Sequence, residues 1–238
     1  MFSNQHLVTI TEEGILSLLQ ISDSFFPTGS FSHSYGLETY VQKELINSKE
    51  TLAQFLKVYL LESIATSDCL ALTLAHRAAE IADLAEILKL DQILSAQKLA
   101  RESREASIKT GNRMMRVVSL VTNNVMLLDF CTLVLEGKTH GHHAVVFGLA
   151  AQVLGLGIKE AALAYIYNAM AGMVNNAVRL VPLGQNEGQL VLTSLQGTML
   201  ETVNTSLKLH IEDLGSATPA LEIRSMQHER LYSRLFMS

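Results

Sequence analysis

Charge is scarce in this sequence. Of its 238 residues, 17% are Asp, Glu, Lys or Arg, against 48% hydrophobic, whereas soluble domains carry about 25% charged residues. A chain so poor in charge has little with which to cover its surface, and one remedy is to bury part of it against other proteins. The composition therefore predicts an oligomer or a member of a complex. The charge present sums to −5, which argues against a surface built to neutralise the phosphates of a nucleic acid. Cysteine is limited to Cys69 and Cys131, far apart and outside any C-x-x-C. Neither a disulfide framework nor a thiolate metal site is encoded, and two buried, reduced thiols are expected.

Other absences narrow the chemistry. No basic segment followed by an apolar one opens the chain, so no signal peptide is expected. The apolar run 144–156 is too short to span a bilayer, and Asn123, Asn124 and Asp129 interrupt the run before it, so no membrane span is expected. No alternating strand pattern of useful length, internal repeat or low-complexity tract occurs. There is no G-x-x-x-x-G-K-[ST], so the chain is not itself a P-loop GTPase. There is no G-x-S-x-G, and Ser and His adjoin only at Ser32-His33-Ser34, where neighbours on a helix point apart.

What is present is helical periodicity. Thr9 and Glu12 have capping-box spacing, and Ile15, Leu18, Leu19 and Ser22 continue a stripe. A turn at Pro27-Thr28-Gly29 follows. Pro27 cannot continue a helix and Gly29 tolerates tight-turn angles. Ser30, Ser32 and Ser34 then crowd the start of a helix over 32–44, where hydroxyls satisfy orphan N–H groups. Ser48 reads as the N-cap of a helix with Leu52, Phe55, Leu56, Tyr59 and Ser63 on one side, broken at Thr66-Ser67-Asp68. The pattern stays helical over 81–120. Its mixed charges over 98–116 predict a solvated face of i,i+4 pairs, and Gly111 marks close helix approach. A buried helix over 121–135, a loop over 137–141 and a helix over 143–154 follow. The next helix, 161–181, carries Met170, Val174, Ala177 and Val181 on one side and Asn168, Gly172, Asn175 and Arg179 on another. Pro182 stops it, 183–188 forms a linker, and a last core helix runs over 189–210. The fold expected is all-α: a single globular helical domain of about ten helices without significant β-sheet. It divides into a core over 1–211 and a hinge with an amphipathic tail over 212–238, a tail that docks on its own core or orders on a partner.

One stretch is more specific than periodicity. D-S-x-F-P-x-G-x-F-x-H-S-x-G-L-E-x-x-V, from Asp23 to Val41, resembles the opening signature of the UreF family of urease accessory proteins. Four later stretches resemble the same family in the same order. They are Glu102-x-Arg104-Glu105-Ala106-Ser107-x-x-x-Gly111, His143-x-x-Val146-Phe147-Gly148, the run Asn176 to Gln185, and the closing His228-Glu229-x-Leu231-x-x-Arg234-Leu235-Phe236-x-Ser238. Asn112 departs from the pattern, standing where the family usually has a basic residue, and Met114-Met115 replace a Leu pair. The resemblance implies an all-helical, homodimeric, cytoplasmic protein without enzymatic activity. It implies a bridge between UreD/UreH and the GTPase UreG for delivery of nickel to apo-urease. The C-terminal tail and nearby surfaces would engage UreD/UreH, and a central dimer surface would receive UreG.

Residue by residue, three chemistries were open. His140, His142 and His143 cluster in T-H-G-H-H, and imidazole suits nickel. Transient nickel contact there competes with a solvated, floppy loop holding one capping His, and no stably bound cofactor is expected. His228-Glu229 resembles the start of H-E-x-x-H, but Tyr232 occupies the second ligand position, which rejects a zinc hydrolase. An arginine supplied in trans to a GTPase is the second idea, with Arg179, Arg230 and Arg234 as candidates. The alternative for Arg179 is a partly buried tie to the 183–188 loop. The third is an interaction surface. Phe26, Phe31, His33, Ser34, Tyr35 and Glu38 from the signature, with Arg230, Arg234, Leu235 and Phe236 from the tail, are the candidate partner contacts, along with Phe25 and Tyr40. Some of these aromatics must be core, and Glu38 either salt-bridges across an interface or faces water.

Overall fold

The structure, a computed structural model, describes residues 10–23, 25–27, 36–215 and 218–229. Within them are eleven α-helices and no strand. In chain order these are α1 (Glu12–Ser22), α2 (Leu37–Gln42), α3 (Lys49–Glu62), α4 (Asp68–Glu80), α5 (Leu84–Gln97), α6 (Arg101–Thr122), α7 (Val125–Leu135), α8 (His143–Val153), α9 (Ile158–Leu180), α10 (Gln185–Ser206) and α11 (Pro219–His228). Short 3₁₀ turns at Ile64–Thr66 and Ile211–Asp213 complete the set.

Two helices form the centre because their sequences are apolar on nearly every side. In α8, Ala144 to Ala151 are all buried, and α4 buries most of Cys69–Ala79. They pack closely because Gly148 has no Cβ. One built there would collide with the carbonyl oxygen of Leu72, a backbone atom with no freedom to yield. Around this pair, α6 and α9 cover α8, α5 covers α4, and α3 lies along α10. Leu52, Leu56 and Leu60 of α3 are wholly buried, each contributing roughly 2 kcal/mol by leaving water. Ser48 caps α3 as the spacing suggests, its hydroxyl accepting Thr51 N–H while Thr51 Oγ1 accepts Ser48 N–H. The stretch Lys49–Glu80 is long and apolar enough to cross a membrane, but it breaks between Ser63 and Ser67, and 61% of its most apolar part is buried inside this fold.

Several expectations shift. Thr11, not Thr9, is the N-cap of α1, its hydroxyl accepting Gly14 N–H at 3.0 Å. Of the helix expected over 32–44, the described part is α2, Leu37–Gln42, which follows Gly36 at φ 81°; positions 32–35 lie outside the described residues. The Thr28-Gly29 turn and the capping serines Ser30, Ser32 and Ser34 lie outside the described residues. The helical span 81–120 is two helices, separated at 98–100. The linker expected over 183–188 is shorter, because α10 begins at Gln185 with Glu187 Oε2 accepting Gly184 N–H at 3.0 Å. The largest difference is α7. It was expected to be buried, yet it buries only Leu127 and Phe130, leaving Val125 and Leu135 about 70% exposed. The apolar sequence there reports a surface that none of the described residues covers. Of the two thiols, Cys69 is buried as expected and Cys131 only partly so; neither is disulfide-bonded.

Candidate interaction site

Four of the five stretches that carry the family resemblance meet one another, and they meet through buried polar groups. The first junction is built on Asp91, wholly buried on α5. One carboxylate oxygen accepts the Thr139 hydroxyl and the N–H groups of His140 (2.7 Å) and Gly141 (2.9 Å), and the other accepts His142 N–H at 2.7 Å. Four donors on one carboxylate fix the T-H-G-H-H backbone, which is therefore neither floppy nor solvated. The fixed loop lies against α6, where Gly111 admits it. A Cβ at Gly111 would strike Gly141 O and stand 2.7 Å from His143 N. One turn earlier, Ser107 Oγ accepts His143 N–H at 3.3 Å and shares a 3.1 Å hydrogen bond with His142 Nδ1. Asn112 Nδ2 reaches His140 O at 2.8 Å.

The second junction is a cavity of about 110 Å³ lined from α4, α6, α8 and α9 and also from α1, α3, α5 and α11. Its polar lining includes Asp68, Lys98, Ser107, His143 and Tyr165. Lys98 Nζ lies 2.7 Å from Asp68 Oδ2, and both side chains are largely buried. Burial alone would raise the Asp68 carboxyl, but the Lys98 ammonium outweighs it and holds the group below its ordinary value. His143 packs edge-on to Phe147 and 5.1 Å from the Tyr165 ring centroid. Loss of hydration lowers the pKa values of His142 and His143 to about 4 each, so both imidazoles are neutral at pH 7.

The third junction joins the two ends of the described chain. His228 on α11 is wholly buried, with Nε2 3.1 Å from Glu38 Oε2 on α2 and Nδ1 3.0 Å from Glu102 Oε2 on α6. Each ring nitrogen thus stands at hydrogen-bond distance from a carboxylate oxygen of a different helix. Gly36, in the left-handed region, lets the chain pass beside Ser225, whose hydroxyl would be 2.7 Å from a Cβ there.

The candidate residues are placed as follows. Glu38 does not face water but is 3% exposed and bonded to His228. Phe26 is buried, whereas Phe25 is 93% exposed. Tyr40 packs on Phe55 and under the Arg224 guanidinium. Phe31, His33, Ser34, Tyr35, Arg230, Arg234, Leu235 and Phe236 lie outside the described residues. Arg179 does not tie its helix to the following loop. It is exposed in the last turn of α9 and makes no hydrogen bond or ion pair with the described residues. The rings of His140 and His142 lie 6.0 Å apart, edge-on, whereas His143 is turned towards Phe147 and Tyr165. Among the described residues no group of three or more His, Cys, Asp or Glu is placed to hold a metal ion. His142 sits at the N-cap of α8 but makes no capping bond. The charged face expected over 98–116 is only partly solvated. Lys109 and Glu105 pair along the helix at 3.5 Å, while Lys98, Arg101 and Glu102 reach other elements.

Sequence reasoning missed Asp91, Asp68 and Lys98. A signal existed for the first: Asp91 falls on the same stripe as Ile87, Leu90 and Leu94, where an acid is out of place unless a partner waits for it. Asp68 had been read only as part of a helix break.

The described residues thus form an all-helical protein in which signature residues join the helices and some apolar helix faces stay exposed. The family profile of UreF matches residues 46–196. A urease accessory protein UreF from Actinobacillus pleuropneumoniae serotype 3 is 41% identical over 222 residues, covering 93% of this chain and 98% of that one. One from Bacillus sp. (strain TB-90) is 39% identical over 224 residues, covering 94% and 99%. Another from Haemophilus influenzae (strain PittEE) is 39% identical over 222 residues, covering 93% and 94%. The chain belongs to the UreF family of urease accessory proteins.

Proposed function

We propose that this chain is a non-enzymatic adaptor in the assembly of the urease nickel centre. It acts as a cytoplasmic homodimer that holds UreD/UreH and the GTPase UreG together on apo-urease, and it keeps no nickel of its own. The observation that carries this reading is a pair of uncovered apolar surfaces on helices that pack on different neighbours. One is on α1, where Ile15, Leu16 and Leu19 are exposed beside Phe25, and α1 packs on α9. The other runs from Leu120 and Val121 at the end of α6 through Val125, Leu128 and Leu135 of α7, which packs on α5, α6 and α8. Contiguous exposed apolar area of this kind marks protein contact, and a bridge needs more than one such surface.

Native mass measurement of the chain alone, and mixed with UreD/UreH or with UreG, tests the reading. A dimer that captures each partner is expected; a lone monomer that captures neither would overturn it. A second reading, direct action on GTP hydrolysis, is favoured by the exposure of Arg179 at a helix end. It requires that UreG turnover rise on adding the chain and that Arg179→Ala abolish the rise without loosening the complex.

A further inference from the structure

We propose that Phe25 is a preformed anchor for an apolar pocket on a partner protein, that cations rim this pocket, and that Asp23 is the positioning residue that turns the ring outward. The inference rests on the adaptor reading and names the kind of surface that the α1 side accepts. Phe25 is 93% exposed, although a buried phenylalanine takes about 150 Å² or more out of water. The next residue does the opposite. Phe26 is 8% exposed and belongs to the core with Ile21 of α1. One ring is thus pinned inside while its neighbour points out. Two hydrogen bonds fix the turn that parts them. Asp23 Oδ1 accepts Phe25 N–H at 2.6 Å, and Asp23 O accepts Phe26 N–H at 3.0 Å. In the first, a side-chain carboxylate takes the place of a backbone carbonyl. Pro27 then restricts the backbone of Phe26. An anchor held this way has less freedom to lose on docking, which raises affinity without added area.

The surroundings of the ring select the partner. Glu12, Leu16 and Leu19 follow one another at i, i+4 and i+7, so they share a ridge of α1 that ends at the C-cap Asp23. Leu16 and Leu19 are 67% and 61% exposed, and Ile15 stands beside them at 43%. Acids stand at both ends of this apolar strip, Glu12 and Glu13 at the start of the helix and Asp23 at its close, all three exposed. The same segment supplies no opposite charge, since the first Lys or Arg of the sequence is Lys43. An apolar centre with a rim of one sign favours a partner whose rim carries the other. A second copy of this chain would bring acid to acid. An anionic lipid surface is disfavoured too, because helices that lie on membranes carry Lys or Arg on their polar face. The occupant is a protein with an apolar pocket set among lysines or arginines.

The test measures association and dissociation rates of the full chain with purified UreD/UreH and with purified UreG, each alone. Phe25→Ala should weaken one of the two complexes about thirtyfold or more, mainly through faster dissociation. Its unfolding midpoint should match the parent's, because the ring is already in water. Asp23→Ala should weaken the same complex about tenfold. Asp23→Asn, which keeps an oxygen for Phe25 N–H, should stay within about threefold. A Glu12→Gln, Glu13→Gln double variant should associate severalfold more slowly at about 0.05 M salt and like the parent at about 0.5 M. If both partners hold Phe25→Ala as tightly as the parent, the anchor is overturned and the adaptor reading stands. Asp23→Asn as weak as Asp23→Ala would overturn the positioning role. Unchanged or faster association of the double glutamine variant at low salt would overturn the cationic rim. A parent chain that captures neither protein would overturn the adaptor reading, and this proposal with it.

Discussion

Asp91 and Asp68 are both acids on helices whose neighbours are apolar, yet they are satisfied by different means. Asp91 is held by four hydrogen-bond donors from one loop, Asp68 by an ammonium from the linker between α5 and α6. Between them lie His142 and His143, desolvated and neutral, and these two give the fold an acid sensitivity with a definite sign. Their pKa values are about 4 in the folded chain and near 6.5 when unfolded, so between those values the unfolded chain binds more protons. Stability is complete above about pH 6.5 and falls as pH drops towards 4, by about 2 kcal/mol per histidine at pH 5. Asp68, whose folded value is depressed, adds a loss of the same sign in more acid solution. Urea midpoints at pH 7 and pH 5 should differ accordingly, and His143→Gln should shrink the difference. Equal midpoints at the two pH values would show that the imidazoles are not desolvated. Little of this arrangement could be read from the sequence. T-H-G-H-H announces histidines, but the polar groups that meet them, Asp68, Asp91 and Ser107, are distant in the sequence, and only the misplaced acid on the α5 stripe hints at one of those partners.

At the scale of elements the sequence was far more legible, because helix faces are local patterns. The buried sides of α3 and α9 fall where the periodicity puts them: Leu52 and Leu56, then Met170, Val174, Ala177 and Val181. Gly111 was legible as a close approach, though not what approaches. The loop before α8, fixed by Asp91, presses its backbone onto α6 at that point. Failures came where an apolar pattern was equated with burial. Val125, Leu128 and Leu135 of α7 are as hydrophobic as a core helix but face outward, and periodicity cannot report whether a partner face exists in the same chain. The two glycines supply a controlled comparison. Gly111→Ala should cost about 3 kcal/mol, since its methyl meets backbone atoms that cannot move aside. Gly172→Ala, in the middle of α9 with nothing within 4 Å of the new methyl, should instead stabilise by roughly 0.5 kcal/mol. Chemical denaturation of both variants measures the contrast, and a Gly111→Ala protein as stable as its parent would mean that the loop does not rest on α6.

For the whole molecule, the shortage of charge and the two apolar surfaces left exposed among the described residues point the same way, towards contact with another protein. The surfaces differ in what they can accept. A two-fold contact sets a patch against its own copy, so any charge in the patch faces or adjoins its own kind. Beside the α1 surface stand Glu12 and Glu13, both exposed, which a second copy would bring towards their equivalents. The α7 segment V-M-L-L-D-F-C-T-L-V-L carries Asp129 as its one charge, and Leu120 and Val121 extend its apolar area. Self-association should therefore use α6–α7, leaving α1 and Phe25 for a different protein. Leu120 is 84% and Val125 70% exposed, so a Leu120→Asp, Val125→Asp double variant removes no core contact and should keep its helix content and unfolding midpoint. Its sedimentation should shift to the monomer, while Leu16→Asp leaves the parent's mass unchanged and weakens capture of an accessory partner. A dimer that survives the double substitution but is lost with Leu16→Asp would reverse the assignment of the two surfaces.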